Sequence, residues 1–397
     1  MDTGNEAAVT SIFDSLRPKT PRLTTVHSEW RTRLRAFVDS EIAPNLAAWD
    51  AAGTFPDEVF GRAIRAGIYG MGFPANLGGV IEDADLYHRI TFAEEFHRLG
   101  SGVVFADLAT HWIGLPPVIR SGVGHLLEKV ARPVLAGQKR IAFAVTEPSG
   151  GSDVAGLQMV AEREDSAYYL SGNKTLISGA LRADFALAVA RTGGPGMGGL
   201  SLFLVDLDQP GVSRSPIPGM AWYNRNLGSL HFDRVKVPAD QLIGEENRGF
   251  AGLAAQLNIE RFSGIAATLA MSRAATAAAI VHAQTRESFG KRLADHQAIR
   301  HKLVEMARQI RTAYSYLDHA VEQFNLGETP IADLSLLKVT GARTLEHCAR
   351  EAMQILAGCA YTGTSRVERM YREARTFAIG GGTEEVLMDL AARQLRL

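Results

Sequence analysis

The sequence predicts a mainly α chain with a central β domain, on three observations: helical spacing of apolar residues over about residues 25–137, short alternating or β-branched runs over 140–243, and renewed, longer helical periodicity after Gly244. At 397 residues the chain is long for one domain, so the order helical, β, helical implies three: 1–139, 140–245 and 246–397. A cleft between them is the expected place for a large ligand.

In the first segment Leu34, Phe37, Val38 and Ile42 share a helical face, with breaks at Pro44, Gly53, Pro56, Gly78 and Gly100. The second carries strand-like runs at 141–145, 167–170, 185–190, 200–205 and 230–237, which read as a small antiparallel β domain. The third predicts long helices at 249–288, 297–326 and 331–358, able to form an antiparallel bundle, and a short one at 384–395.

Composition narrows the function. The 42 basic and 43 acidic residues leave a net charge of −1, so no field gathers nucleic acid or an anionic membrane. Cys348 and Cys359 fit neither a disulfide framework nor a zinc spacing, which suits a reducing, cytoplasmic setting with no metal. Residues 1–17 lack the order of a secretory signal, and the apolar stretch 265–283, broken by Ser272 and Arg273, reads as a helix buried in protein, so no membrane span is expected.

Two segments carry the chemistry. Val145-Thr146-Glu147-Pro148-Ser149-Gly150-Gly151-Ser152-Asp153 follows a strand and offers backbone N–H groups and hydroxyls to a polar ligand edge. Asn173-Lys174-Thr175-Leu176-Ile177-Ser178-Gly179 lies about twenty-five residues on. Together they resemble the Thr-Glu-Pro with Gly-Ser-Asp motif and the Lys-x-Trp-Ile-Thr/Ser block of the acyl-CoA dehydrogenase family. The resemblance implies FAD held by Val145, Thr146, Ser152, Ile177 and Ser178, with the Ser178 hydroxyl on flavin N5. Leu176 stands where the family usually has an aromatic residue.

Further blocks extend the resemblance over the chain after about residue 25. Arg286, Ser288, Phe289 and Gly290, followed by Gln297, read by themselves as a basic helix end closed by glycine. They resemble the family's Arg-x-x-Phe-Gly block, which binds the FAD pyrophosphate of an adjacent subunit and so implies a homo-oligomer, dimer or tetramer. Gln354 to Tyr361 resembles Gln-x-x-Gly-Gly-x-Gly-Tyr, keeping Gln354 and Gly358 but with Ala357 and Ala360 at two glycine positions. Thr383, Glu384 and Glu385 suit a helix cap; in the family this turn also contacts FAD, which adds Thr383 and Glu385.

The family's commonest base position, just before that Gly-Thr pair, is Gly381 here. Glu260-Arg261 instead matches the isovaleryl- and long-chain-type placement of the catalytic glutamate. Independently, Leu253, Leu257, Glu260 and Gly264 share one helical stripe, so Glu260 is a carboxylate on an apolar face. Such a group is either ion-paired to a neighbouring helix or a base whose pKa burial raises. The resemblance implies a helical, β-barrel, four-helix-bundle architecture. It implies that Glu260 takes the α-proton of an acyl thioester, on CoA or a carrier protein, while the β-hydrogen leaves as hydride to flavin N5, giving the trans-2-enoyl product. Ser152, Asn258, Arg261, Gly381 and Gly382 are the expected substrate contacts, and an electron-transfer flavoprotein the expected acceptor.

Three patterns are set aside. Gly194, Gly196 and Gly199 form G-x-G-x-x-G before a strand instead of opening a helix; Glu94 and His97 are a lone Glu-x-x-His; and no Gly-x-Ser-x-Gly elbow occurs. The rival classes are a flavin oxidase or monooxygenase, for which Glu260 is dispensable, and a non-catalytic subunit, for which the departures at Leu176, Ala357, Ala360 and Gly381 speak.

Overall fold

The computed structural model describes residues 3–221, 227–362 and 365–397. They divide into two units that do not follow chain order: Ala48–Ala84 with Val103–Ile259, and Met1–Ala47 with Asp85–Gly102 and Glu260–Leu397.

The first unit is built on a sheet of strands β1 Ile141–Ala144, β2 Val160–Glu164, β3 Ala167–Ser178, β4 Phe185–Arg191, β5 Leu200–Asp206, β6 Val212–Pro216, β7 Leu227–Pro238 and β8 Leu242–Ile243. The order is β6-β7-β3-β2-β4-β5-β8, with β1 paired to β4. This corrects the expected antiparallel barrel in two ways. Closure requires the two edge strands to pair, and among the described residues β6 and β8 do not: β8 has only two residues, and β6 is mostly exposed. The sheet is also mixed, because β1 and β2 both run parallel to β4. β4 and β5 are covered on both faces, so they read as continuous apolar runs, while Leu170, Phe203, Val205, Leu230 and Phe232 fill the core. The His111–Arg120 helix lies so close to β1 that a Cβ at Gly114 would stand 2.9 Å from the Ile141 side chain.

In the second unit the Ile331–Leu356 helix packs against Gln297–Asn325, Arg366–Ile379 and Glu384–Leu395. Arg366–Ile379 and the N-terminal Thr3–Leu16 helix were not expected from the sequence. The Leu86–His97 helix disposes of the Glu-x-x-His pattern. Burial would raise the Glu94 pKa, but Arg17, Arg31 and Arg273 surround the carboxylate and hold it at about 2. His97 Nδ1 meanwhile lies 2.8 Å from the Ala93 carbonyl, inside its own helix.

The helix Gly249–Thr285 is long and apolar enough to cross a membrane, and 83% of its most apolar window is buried within the protein. It ends three residues before the expected 288. There a two-stranded hairpin, Glu287–Ser288 with Lys291–Arg292, takes over, turning on Phe289 (φ 53°) and Gly290 (φ 75°). Gly290 therefore serves a hairpin turn of the type that needs two positive φ values, not a helix end. The third long helix, Ile331–Leu356, likewise stops at Leu356 instead of 358.

Candidate active site

Where β1 ends, the chain must turn sharply, and a buried ion pair fixes the turn. Glu147 Oε1 lies 2.7 Å from Lys174 Nζ on β3 and accepts the Met159 N–H at 3.0 Å, and Oε2 accepts the Gln158 N–H at 2.7 Å. Lys174 Nζ also donates to the Val145 carbonyl at 2.9 Å, and the Thr175 N–H to the Thr146 carbonyl at 2.8 Å. Val145 and Thr146 are thus stitched to β3 beside Ile177 and Ser178. Burial lowers the Lys174 pKa to about 8 against the opposing pull of Glu147, so the pair remains charged at neutral pH. The sequence reading took this glutamate as part of a motif without seeing its role; a charged pair flanking strand-like runs was the available signal.

Opposite Ser229 on β7, two β3 residues, Thr175 and Leu176, stand against one, which makes a bulge. It forces Leu176 to φ 56° and leaves it 53% exposed. The Thr146 and Ser178 hydroxyls, both partly buried, have no hydrogen-bond partner among the described residues. An apolar side chain lifted off the strand beside two unengaged hydroxyls is suited to a flat heterocycle with a polar edge. Ser152 is exposed on the loop after this turn.

Glu260 lies on the Gly249–Thr285 helix, partly buried, and its carboxylate has neither an ion pair nor a hydrogen bond among the described residues. Burial pushes its pKa up to about 7, opposed by neighbouring Arg261. Leu253 on the same stripe is buried, and a Cβ added at Gly264, one turn beyond Glu260, would meet nothing within 4 Å. Asn258, on this helix too, is partly buried.

Arg261 Nε donates to the Gly381 carbonyl at 3.4 Å, joining this helix to the turn at Gly381 (φ 71°) and Gly382 (φ 109°). A Cβ added at Gly381 would meet nothing within 4 Å. Thr383 caps the next helix by accepting the Val386 N–H at 3.4 Å, as expected, and Glu385 is exposed beside it. Lys338, which sequence reasoning passed over, donates to the Gly382 carbonyl from the Ile331–Leu356 helix.

The remaining sites fall elsewhere in the chain. Arg286, Phe289 and Gln297 are exposed on and after the hairpin, and Ser288 offers its carbonyl to His296 Nε2 at 3.2 Å. Phe289, at the tip, is 95% exposed. Gln354 and Gly358 are exposed at the far end of the Ile331–Leu356 helix, about 24 Å along it from Lys338 at 1.5 Å per residue. One chain therefore does not bring Gln354 and Gly358 together with the Glu260 and Gly381 group.

Sequence comparison bears on what these residues share. Three family profiles match in succession: Acyl-CoA dehydrogenase, N-terminal domain, at 24–138; the middle domain at 142–235; and the C-terminal domain at 247–396. Among curated relatives, acyl-CoA dehydrogenase AFT10-1 of Alternaria alternata is 33% identical, covering 95% of this chain and 93% of its own. The caffeyl-CoA reductase-Etf complex subunit CarC of Acetobacterium woodii is 32% identical, over 90% and 94%. The acyl-CoA dehydrogenase structure from Geobacillus kaustophilus superposes with a TM-score of 0.91 at 27% identity, over 96% of this chain and 100% of that one. The chain belongs to the acyl-CoA dehydrogenase family, and its type is that of a flavoenzyme oxidoreductase.

Proposed function

We propose that the protein catalyses FAD-dependent α,β-dehydrogenation of an acyl thioester, with Glu260 as the α-proton base. The observation that carries this reading is the Glu260 carboxylate itself: unpaired among the described residues, raised to about pKa 7, and one helical turn from the open space at Gly264. A base near neutrality combines adequate deprotonation with adequate strength toward a weakly acidic C–H. Gly381 supports it from the other side, since the position commonly used for the base has no side chain here.

The Leu176 bulge and the unengaged Thr146 and Ser178 hydroxyls fit an isoalloxazine edge. FAD, when bound, supplies the acceptor for the β-hydrogen. Val145, Thr146, Ser152, Ile177 and Ser178 would hold its ring side. Arg286, Ser288, Phe289 and Gln297, with Gln354, Gly358, Thr383 and Glu385, would hold the remainder in a homo-oligomer in which exposed Phe289 is covered by a neighbouring copy. Asn258, Arg261 and the Gly381–Gly382 turn would meet the thioester, and electrons would leave to an electron-transfer flavoprotein. The Acetobacterium woodii relative is by its name a caffeyl-CoA reductase-Etf complex subunit, which links that protein to such a partner and to a reductase, so reduction of an enoyl thioester by the same residues is a second reading.

The test is anaerobic titration of purified, flavin-loaded protein with a panel of acyl-CoA and acyl carrier-protein thioesters, wild type beside Glu260→Gln. Bleaching of the wild-type visible spectrum by one thioester, absent in the variant, is the expected result. Bleaching of both to the same extent would remove Glu260 as base, and a flavin that no thioester bleaches would remove the dehydrogenase reading.

A further inference from the structure

Two helices of the second unit, Thr25–Phe37 and Leu86–His97, pack together with their starts around one carboxylate. Asp85 is the N-cap of the later helix, and its Oδ1 accepts the His88 N–H at 3.1 Å. The same oxygen lies 2.8 Å from His88 Nδ1 and 3.0 Å from His27 Nε2, which also stands 3.2 Å from Oδ2. His27 and His88 are both buried, while the Asp85 side chain is 41% exposed. His27 and Asp85 are 58 residues apart, so no local spacing announces the set, and the sequence reading, which weighed the cysteines and Glu94 with His97, expected no metal.

Helix capping does not account for two imidazoles. Each histidine is the third residue of its helix, where a Glu or Gln side chain ordinarily reaches back to the N-cap N–H. What histidine adds is a nitrogen lone pair for a metal, and two neutral imidazoles with one carboxylate are a donor set that zinc favours. Among the described residues no other three such groups converge.

The donor atoms stand close to the spacing an ion needs. All three lie within 4.8 Å of one another. Bonds of about 2.0–2.2 Å in a tetrahedral site set ligand atoms about 3.3 Å apart, so both Asp85 contacts open by roughly half an ångström or less and the imidazoles close on the ion. The exposed side of Asp85 leaves an entry path and room for a water as fourth ligand.

Ligand atoms must also be free of protons. Burial raises the Asp85 pKa, but hydrogen bonds from His88 and His27 hold it well below the usual carboxylate range. The Thr24 N–H donates to His27 Nδ1 at 3.1 Å, so the proton of that neutral ring is on Nε2, toward Asp85. When an ion takes Nε2, the proton moves to Nδ1, where the Thr24 hydroxyl oxygen, 3.0 Å away, accepts it. His88 passes its proton from Nδ1 to its other nitrogen, and each ring stays neutral. Two helix N-termini oppose a cation here, and the Asp85 charge offsets them.

We propose that His27, Asp85 and His88 bind a zinc ion that pins the starts of these two helices to each other. The inference is independent of the dehydrogenase reading, since none of the three residues belongs to the candidate active site.

The test uses untagged, flavin-loaded protein freed of metal by EDTA and then dialysed. Calorimetric titration with ZnCl2 should show one ion per chain. Co2+ in its place should give the visible bands of an imidazole-ligated tetrahedral ion, read as a difference against the flavin spectrum. Zinc should raise the melting temperature by a few degrees, reversibly with EDTA.

His27→Gln, His88→Gln and Asp85→Asn separate ligation from capping. Glutamine at the third position and asparagine at the N-cap keep the caps, so all three should melt near wild type without zinc. Each should bind zinc about 100-fold more weakly or worse, since losing a ligand exceeds the roughly 10- to 100-fold cost of losing a ligand's outer partner, and each should lose the thermal shift. No zinc uptake by the wild type overturns the site, and so does uptake that all three variants retain, which places the ion elsewhere. Uptake without a thermal shift overturns the pinning of the helices. If one variant does not fold, the other two and the wild-type Co2+ spectrum carry the comparison.

Discussion

Lys174 Nζ stands 2.7 Å from Glu147 Oε1, and both side chains are sealed from solvent beneath the turn that carries Thr146. Removing one partner strands the other charge in a medium that cannot hydrate it, at a cost of about 3–5 kcal/mol. Lys174→Met should therefore lose about that much in urea unfolding. Lys174→Met with Glu147→Gln should recover part of it, because the neutral amide can still take one backbone N–H. A loss below about 1 kcal/mol in the single variant would mean the pair is not buried as described.

Glu260 yields a pH expectation whose sign is fixed by its environment. Burial raises its pKa to about 7, Arg261 opposing, so the base form accumulates as pH rises and flavin reduction should climb with a midpoint near 7. Glu260→Gln should reduce the rate by roughly 10²- to 10⁴-fold. Stability runs the opposite way. The folded pKa exceeds the unfolded value of about 4.3, so the contribution of Glu260 is full below pH 4 and is lost as pH rises through 7. The melting temperature of E260Q relative to wild type should then improve between pH 5 and pH 8. A flat difference across that range contradicts the raised pKa.

The stripe Leu253, Leu257, Glu260, Gly264 was legible because a 3.6-residue period needs only local spacing, and the Thr-Glu-Pro segment because its residue types are distinctive. Closure of the sheet was not legible. It depends on β8 being two residues long and on β6 pairing with β7 but not with β8 among the described residues, which are long-range facts. The change from helix to hairpin after Thr285 turned on Phe289 taking a positive φ, a conformation that sequence assigns to glycine. Lys338 could have been found by the argument used for Glu260, since it too is a charge on an apolar stripe, between Leu334 and Leu345.

Ala357 occupies a backbone conformation with φ 49° and ψ −129°, between the Ile331–Leu356 helix and the short Gly358–Tyr361 turn of helix. That region is open to glycine and strained for any residue with a Cβ, by about 1–3 kcal/mol. Ala357→Gly should raise stability by about 1 kcal/mol once the greater chain entropy of glycine in the unfolded state is subtracted. Thermal unfolding of the flavin-loaded protein measures it. A lower melting temperature would show that the turn relaxes around alanine without strain.

Gly264 offers a test of the space beside the base. It sits in mid-helix, four residues after Glu260 and on the same face, and a Cβ there would meet nothing within 4 Å. In a purely structural site, Gly264→Leu should stabilise the helix by roughly 0.5–1 kcal/mol, from propensity alone. If that space receives the acyl group, the same variant should melt no lower than wild type, keep its flavin, and raise KM for the preferred thioester at least tenfold, with shorter acyl chains suffering less. An unchanged KM with raised stability places the acyl group elsewhere. A lower melting temperature means the space beside Gly264 is filled by protein, and the support that this space lends to Glu260 as the base falls with it.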